Sequence, residues 1–266
     1  MCSSDLILPV IGVETIYGQD VGNFRTLDAL TTLAFDYPPR ADFFRSELEN
    51  FLLLAREQQF NLLAIRGSYA GALGIPQFMP STYRNYAVDF NSNRKINLLD
   101  DDVDAIGSVA NYLNKFGWVD RVAGHSPVSG KPADNKRHAV TIPPIAVPVQ
   151  VSASFRDTDI AAPRTVSAWM LSGITPTMEL ARDQTARLID FTMGGGDEKT
   201  SVTPPAAPPD GAISSVKLPL YSAQPNKQYW LVFNNFDVIR RYNNSDYYAM
   251  SVFQLAEALK DARKIH

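Results

Sequence analysis

The chain is poor in cysteine, in histidine and in net charge. Its single cysteine, Cys2, excludes an internal disulfide framework and a cysteine-based zinc site. That scarcity leaves the compartment open, because proteins outside the cytosol need not carry disulfides. The three histidines, His125, His138 and His266, have neither a metal-ligand spacing nor a triad neighbourhood. No Walker loop or dinucleotide-type glycine pattern is present. A net charge of −3 gives no basic field, so nucleic-acid binding has no electrostatic support. No apolar run approaches the ~20 residues that span a bilayer. The opening "MCSSDLILPV" has no charged leader region and no long apolar core, so it does not read as a signal peptide. Cys2 also lacks the apolar run that precedes a lipidated cysteine. A helix already in progress at Leu6 gives the expectation of a truncated or rejoined N-terminus.

What is present is enough to build a core. At 266 residues, one large or two to three small domains are expected, and 45% hydrophobic with 11% aromatic content can fill them. Residues 5–18 read as a short apolar helix, with Pro9 a candidate for its start. Residues 40–60 are amphipathic, with Phe44, Leu48, Phe51, Leu52 and Ala55 in one stripe and Arg45, Glu47, Glu49 and Arg56 mostly elsewhere. Residues 100–118 form another helix, with aspartate caps, an apolar set of Val103, Ile106, Val109, Ala110 and Leu113, and Gly117 as a stop. Asp246 to Lys264 is the last. Between them, 119–151 is rich in Gly, Pro and Ser. "HAVTIPPIAVPVQVSASF" then alternates like strands whose prolines suit sheet edges. "VSAWMLSGITP" reads as a short helix with a glycine stop, and "KQYWLVFNNFDVIRRY" as a strand followed by a turn or short helix. No internal repeat is visible. The fold class expected is α+β, mainly α: a helical core over 1–118, a mixed or β-rich insertion over 119–226 with a flexible linker at 194–212, and a C-terminal return to the core over 227–266.

Four segments carry candidate chemistry. In "PVIGVETIYGQ" Glu14 is the sole charge, with Val10, Ile11 and Val13 before it and Ile16 and Tyr17 after it. A carboxylate in apolar surroundings resists ionisation, which suits a general acid. The bland alternative is a helix glutamate that caps or pairs with an arginine such as Arg25. "RGSYAGALGIPQFMPSTYRNYAVDF" packs five glycines and prolines around Ser68, Tyr69, Gln77, Tyr83 and Tyr86. Small residues permit close backbone approach to a ligand, and neutral polar and aromatic side chains suit sugars. A helix–turn–helix packed through its glycines is the alternative. "RRYNNSDYYAM" offers Tyr242, Asn243, Tyr247 and Tyr248, or a plain loop capped by Asn and Ser. In "DFNSNRKINLLDDDVD", Asp89, Asn91 and Asn93 take positions 1, 3 and 5 of an EF-hand-like loop over 89–104. Arg94 stands where glycine is expected. Position 12 is Asp100, with Asp104 the later acid that can serve instead. The alternative is a polar loop leading into a capped helix.

Taken together, "GVETIYG", "GSYAGALGIPQFMPSTYRNYAVDF", "INLLDDDVDAIGSVANYLNKFGW" and "RYNNSDYYAMSVFQLAEAL", in this order, resemble the membrane-bound lytic murein transglycosylase B family, glycoside hydrolase family 103. The match runs from about Leu6 to the C-terminus and is weak over about 120–225. The resemblance implies a lysozyme-like helical core with a groove for peptidoglycan glycan strands. It makes Glu14 the catalytic acid and places Ser68, Gln77, Tyr242, Asn243 and Tyr248 in the groove. Phe43 falls where a tyrosine can line it. The family's calcium loop matches Asp89, Asn91, Asn93, Lys95 (through its carbonyl) and Asp104. Family members usually carry a further helical segment ahead of the catalytic helix. A structural calcium ion is the one candidate cofactor, and none is required for the reaction. The implied setting is the Gram-negative periplasm, with outer-membrane association of the full-length form and unidentified partners in the cell-wall machinery.

The implied chemistry accounts for a lone acid. Most glycosidases use two carboxylates. A lytic transglycosylase uses one, as acid and then as base, and closes the MurNAc C6 hydroxyl onto C1 in place of water. A hydrolytic muramidase and a non-catalytic peptidoglycan-binding protein are the alternatives.

Overall fold

In the computed structural model, residues 4–119, 144–155, 160, 162–192 and 227–264 are described. They divide into two compact units, the first comprising residues up to 142 with 238–244 and 248–266, the second 143–237 with 245–247. The histidines and the 194–212 linker lie outside the described residues.

The first unit is helical. α1 (Ser4–Thr15) runs through Pro9 rather than starting there, at the cost of one intrahelical hydrogen bond. A two-residue ladder of β1 (Phe24–Arg25) with β2 (Arg66–Gly67) flanks α2 (Thr26–Asp36), a single 3₁₀ turn (Pro38–Arg40) and α3 (Ala41–Gln58). α2 packs on α3, α3 on α4 (Pro80–Tyr86), and α1 on α5 (Asp102–Lys115). The buried face of α3 is Phe44, Glu47, Phe51, Leu54 and Ala55, so the stripe is rotated from the expected one. Leu52 is exposed and Glu47 is inside. Two oxygens explain Glu47. Its carboxylate accepts the Ser81 backbone N–H at 2.9 Å and the Ser81 hydroxyl at 2.6 Å, so it caps α4 from a neighbouring helix. α5 starts as expected: Asp101 accepts the Val103 and Asp104 N–H groups, and Gly117 follows its last turn at φ 87°. Its buried set differs, with Val103 exposed and Asp104, Ser108, Val109 and Leu113 inside.

The second unit holds a five-stranded antiparallel sheet among the described residues. β3 (Ala146–Val151), β4 (Arg164–Thr165), β5 (Ile174–Pro176), β6 (Thr185–Thr192) and β7 (Lys227–Val232) lie in the order β4-β6-β7-β3-β5. β3 is flanked on both sides, so its Pro148 is not an edge residue. There Pro148 pairs opposite Trp230, and its carbonyl accepts the Thr177 N–H. α6 (Val166–Leu171) is the short helix expected, and the residues after its Gly173 stop form β5. Trp169 of α6 is buried with Val147, Leu188 and Leu231, and its indole N–H donates to the Ala186 carbonyl at 2.9 Å. β7 is a central strand, so the C-terminal return to the helical unit begins at Val238, within α7 (Asn234–Asn243). α8 (Asp246–Lys264) closes the described chain.

Candidate active site

Glu14 sits in the last turn of α1, and the helix stops at once behind it. Ile16, Tyr17 and Gly18 all take left-handed φ values, 51°, 58° and 83°. For the two side-chain-bearing residues this conformation costs roughly 1–3 kcal/mol each, and for β-branched Ile16 it is a true outlier. The buried Thr15 holds the turn. Its hydroxyl donates to the Ile75 carbonyl at 2.9 Å and accepts the Gly18 N–H at 2.9 Å. Tyr17 folds back so that its ring lies over Gly12, where a Cβ would meet it at 2.8 Å.

The facing loop comes from residues 67–78. Here the glycines permit close packing of backbone against backbone. A Cβ at Gly67 would lie 2.1 Å from the Ala72 carbonyl oxygen, and one at Gly74 (φ 67°) would lie 2.0 Å from that of Leu98. Bridges Gly67–Leu73 and Leu73–Phe78 replace the alternative helix–turn–helix. Gln77, itself left-handed at φ 52°, donates its amide to the Val21 and Gly74 carbonyls. Its side-chain oxygen is thereby aimed away from those two contacts. Ser68 Oγ accepts the Ala70 and Ala72 N–H groups, which leaves its hydroxyl proton to donate.

α7 and α8 supply the aromatic wall. The Tyr248 hydroxyl donates to Glu14 Oε1 at 2.6 Å. The Tyr242 ring stacks on that of Tyr248, centroids 6.1 Å apart and planes 12° apart, while its hydroxyl donates to the Pro76 carbonyl at 2.6 Å. Phe78 and Tyr112 pack around Tyr242 at 5.8 and 5.0 Å. A cavity of ≈ 60 Å³ opens among Gln77, Phe78, Met79, Thr82, Tyr112 and Tyr242. Burial pushes the Glu14 carboxyl up to about 7, with the Tyr248 hydrogen bond opposing the rise. The same burial, with the Glu14 charge beside them, raises the phenols of Tyr242 and Tyr248 well above their ordinary range. Arg25 is no partner of Glu14; it pairs with Asp28 at 3.2 Å. The geometry thus presents one carboxyl that is half protonated near neutrality, with a phenol on one oxygen.

The remaining expected residues fall as follows. Asn243 ends α7 and is exposed. Phe43 is exposed on α3, but its ring carries the Arg40 guanidinium at 4.4 Å and meets Phe44 edge-on at 5.0 Å. Thr15, Phe78 and Tyr112 escaped the sequence reading. The one available sign for Thr15 was its place directly after a carboxylate.

In the 89–104 loop, Asp89 accepts the Asn93 and Arg94 N–H groups, and Asn93 Oδ1 accepts that of Lys95. Buried Asp104 accepts Phe90 and Asn97 N–H groups at 2.9 Å each. Arg94 adopts φ 70°, the conformation for which glycine is the ordinary choice. The donors are hard oxygens, the ligand type that a calcium ion takes. They bring only two carboxylates, Asp89 and Asp104, and no group of three or more acidic, His or Cys side chains gathers among the described residues. No helix among the described residues is long and apolar enough to cross a membrane.

Residues 2–257 match the family model for the transglycosylase SLT domain. The chain is 38% identical over 265 residues to membrane-bound lytic murein transglycosylase B of Escherichia coli strain K12, covering 97% of this chain and 57% of that protein. It therefore spans little more than half the length of that relative. Soluble lytic transglycosylase SltB1 of Pseudomonas aeruginosa superposes with a TM-score of 0.71 at 36% identity, covering 98% of this chain and 71% of the other. Escherichia coli lytic transglycosylase SLT35 in complex with calcium superposes with a TM-score of 0.72 at 37% identity, covering 97% and 66%. The fold class is the one expected, α+β and mainly helical with a lysozyme-like core, and the chain belongs to the transglycosylase SLT domain family.

Proposed function

We propose that the chain is a lytic transglycosylase that cleaves the β-1,4 bond between MurNAc and GlcNAc in peptidoglycan glycan strands and leaves 1,6-anhydroMurNAc ends. The observation that carries the reading is Glu14, whose carboxyl is raised to about 7 and held at 2.6 Å by Tyr248. Its family membership supports the same reading.

Protonated Glu14 gives its proton to the glycosidic oxygen as the C1–O4 bond breaks, and GlcNAc leaves with a free 4-hydroxyl. The N-acetyl oxygen of MurNAc stabilises the cationic C1. Glu14, now ionised and steadied by the Tyr248 hydroxyl, takes the proton of the C6 hydroxyl as O6 bonds to C1. The carboxyl ends protonated, as it began, and no water is consumed. Ser68, with a proton to donate, and Gln77, with an unused amide oxygen, bind the N-acetyl and hydroxyl groups. Tyr242 supports the Tyr248 ring from behind, and Asn243 and Phe43 contact the strand further along. Asp89, Asn91, Asn93, the Lys95 carbonyl and Asp104 hold a structural calcium ion, which the calcium complex of SLT35 supports. We place the protein in the periplasm of a Gram-negative bacterium, associated with the outer membrane, a reading that its similarity to the membrane-bound Escherichia coli relative supports.

Digestion of purified peptidoglycan by this chain and by Glu14→Gln, read by mass spectrometry, tests the proposal. Products one water lighter than reducing muropeptides, absent with the variant, are expected. Reducing products would make it a muramidase. Glycan binding without any product would make it a binding protein.

A further inference from the structure

We infer that Thr15 is a positioning residue for Glu14, an assignment that rests on the acid role given to Glu14 above. Three observations converge. Thr15 is buried, and its hydroxyl joins two strained segments. It donates to the Ile75 carbonyl, 60 residues away in sequence, and accepts the Gly18 N–H. The turn it closes holds three consecutive left-handed residues, Ile16, Tyr17 and Gly18. The loop it reaches carries the left-handed Gln77, whose amide is tied to the Val21 carbonyl on the far side of the same turn.

A helix end frays unless its terminal groups are held. Here the reactive carboxyl belongs to the residue just before the clamp. Without the hydroxyl, the Gly18 N–H and the Ile75 carbonyl lose their partner, and Ile16 and Tyr17 have reason to relax toward right-handed φ. The Glu14 backbone would then be free to swing, and water would enter beside its side chain. The consequence is specific. The Glu14 carboxyl moves back toward its ordinary range because burial is what raises it. A displacement of the acid by about 1 Å lowers turnover by about 10²-fold with substrate binding unchanged.

The test compares Thr15→Val, which keeps the shape and removes the hydroxyl, with Thr15→Ser, which keeps the hydroxyl. Glu14 is titrated by carbon-13 NMR of labelled glutamate, its signal assigned with Glu14→Gln, and kcat and KM for anhydro-product release are measured over pH. Expected are a lowered Glu14 midpoint and a kcat reduced by about 10²-fold in Thr15→Val at unchanged KM, with Thr15→Ser restoring both. A Glu14 midpoint unchanged in Thr15→Val, whatever happens to thermal stability, overturns the inference, and so does a serine variant that behaves like the valine. Should Thr15→Val not fold, amide hydrogen exchange on the unaltered chain decides: Gly18 must be protected, and rapid exchange there sinks the idea. The titration does not depend on turnover. A wild-type chain that makes no anhydro product therefore refutes the proposed function, while the positioning inference stands or falls on the midpoint.

Discussion

The hydroxyl of Tyr248 lies 2.6 Å from Glu14 Oε1 and opposes the effect of burial on that carboxyl. A hydrogen bond to an ionised group is worth about 1.5–3 kcal/mol. Tyr248→Phe removes it and leaves the apolar cover in place, so Glu14 should titrate above about 7. The alkaline limb of the pH–rate profile, where the acid loses its proton, should move up by about one pH unit. A limb that moves down, or stays, refutes the role assigned to the phenol.

Glu14 also sets a pH dependence of stability. Its folded pKa is raised from 4.5 to about 7, so the folded state binds the proton more tightly than the unfolded chain. The stability it contributes is complete below 4.5 and is lost as pH rises to about 7. Glu14→Gln, which cannot ionise, should therefore match wild type near pH 4 and exceed it at pH 8 by on the order of 1–3 kcal/mol. Activity should fall by about 10²–10⁴-fold in the same variant. Denaturant melts at the two pH values check the sign.

Glu47 satisfies two donors at the start of α4 from inside the core. Glu47→Ala leaves the Ser81 N–H without that acceptor and opens a small void. A loss of about 1–3 kcal/mol is expected. A denaturant midpoint within error of wild type would show that water replaces the carboxylate without penalty.

Arg94 holds a conformation that glycine adopts freely, and it places a cation in a loop of hard oxygen donors. Arg94→Gly should add about 0.5–1 kcal/mol without metal, as backbone strain is relieved. It should also tighten calcium binding by removing like charge. Calorimetric titration with calcium checks this, and Asp89→Asn should weaken the heat signal.

Much of this arrangement was legible in the chain. Glu14 stood out as a charge in an apolar run, and the tyrosines of "RRYNNSDYYAM" as candidate sugar contacts. The periodicity of α3, α5 and α8 located those helices within a few residues. The face of α3 was misjudged because Glu47 looks polar; its spacing of three from Phe44 and four from Phe51 put it in the core, and only Ser81, 34 residues away, makes that burial tolerable. α4 was missed because seven residues, "PSTYRNY", are too few to show a period. β1 and β2 have two residues each and exist through pairing across 41 and 43 positions, which no local pattern encodes. Thr15 left no periodic trace, since its partner is a backbone carbonyl.

The separation of 234 residues between Glu14 and Tyr248 has a temporal meaning. A ribosome adding about 5–20 residues per second makes Tyr248 roughly 10–50 s after Glu14. Throughout that interval the carboxyl lacks its phenol and the ring stacked behind it. The proton-holding pair therefore forms only once α8 has been translated, and a product released before α8 carries the acid in an unarmed state.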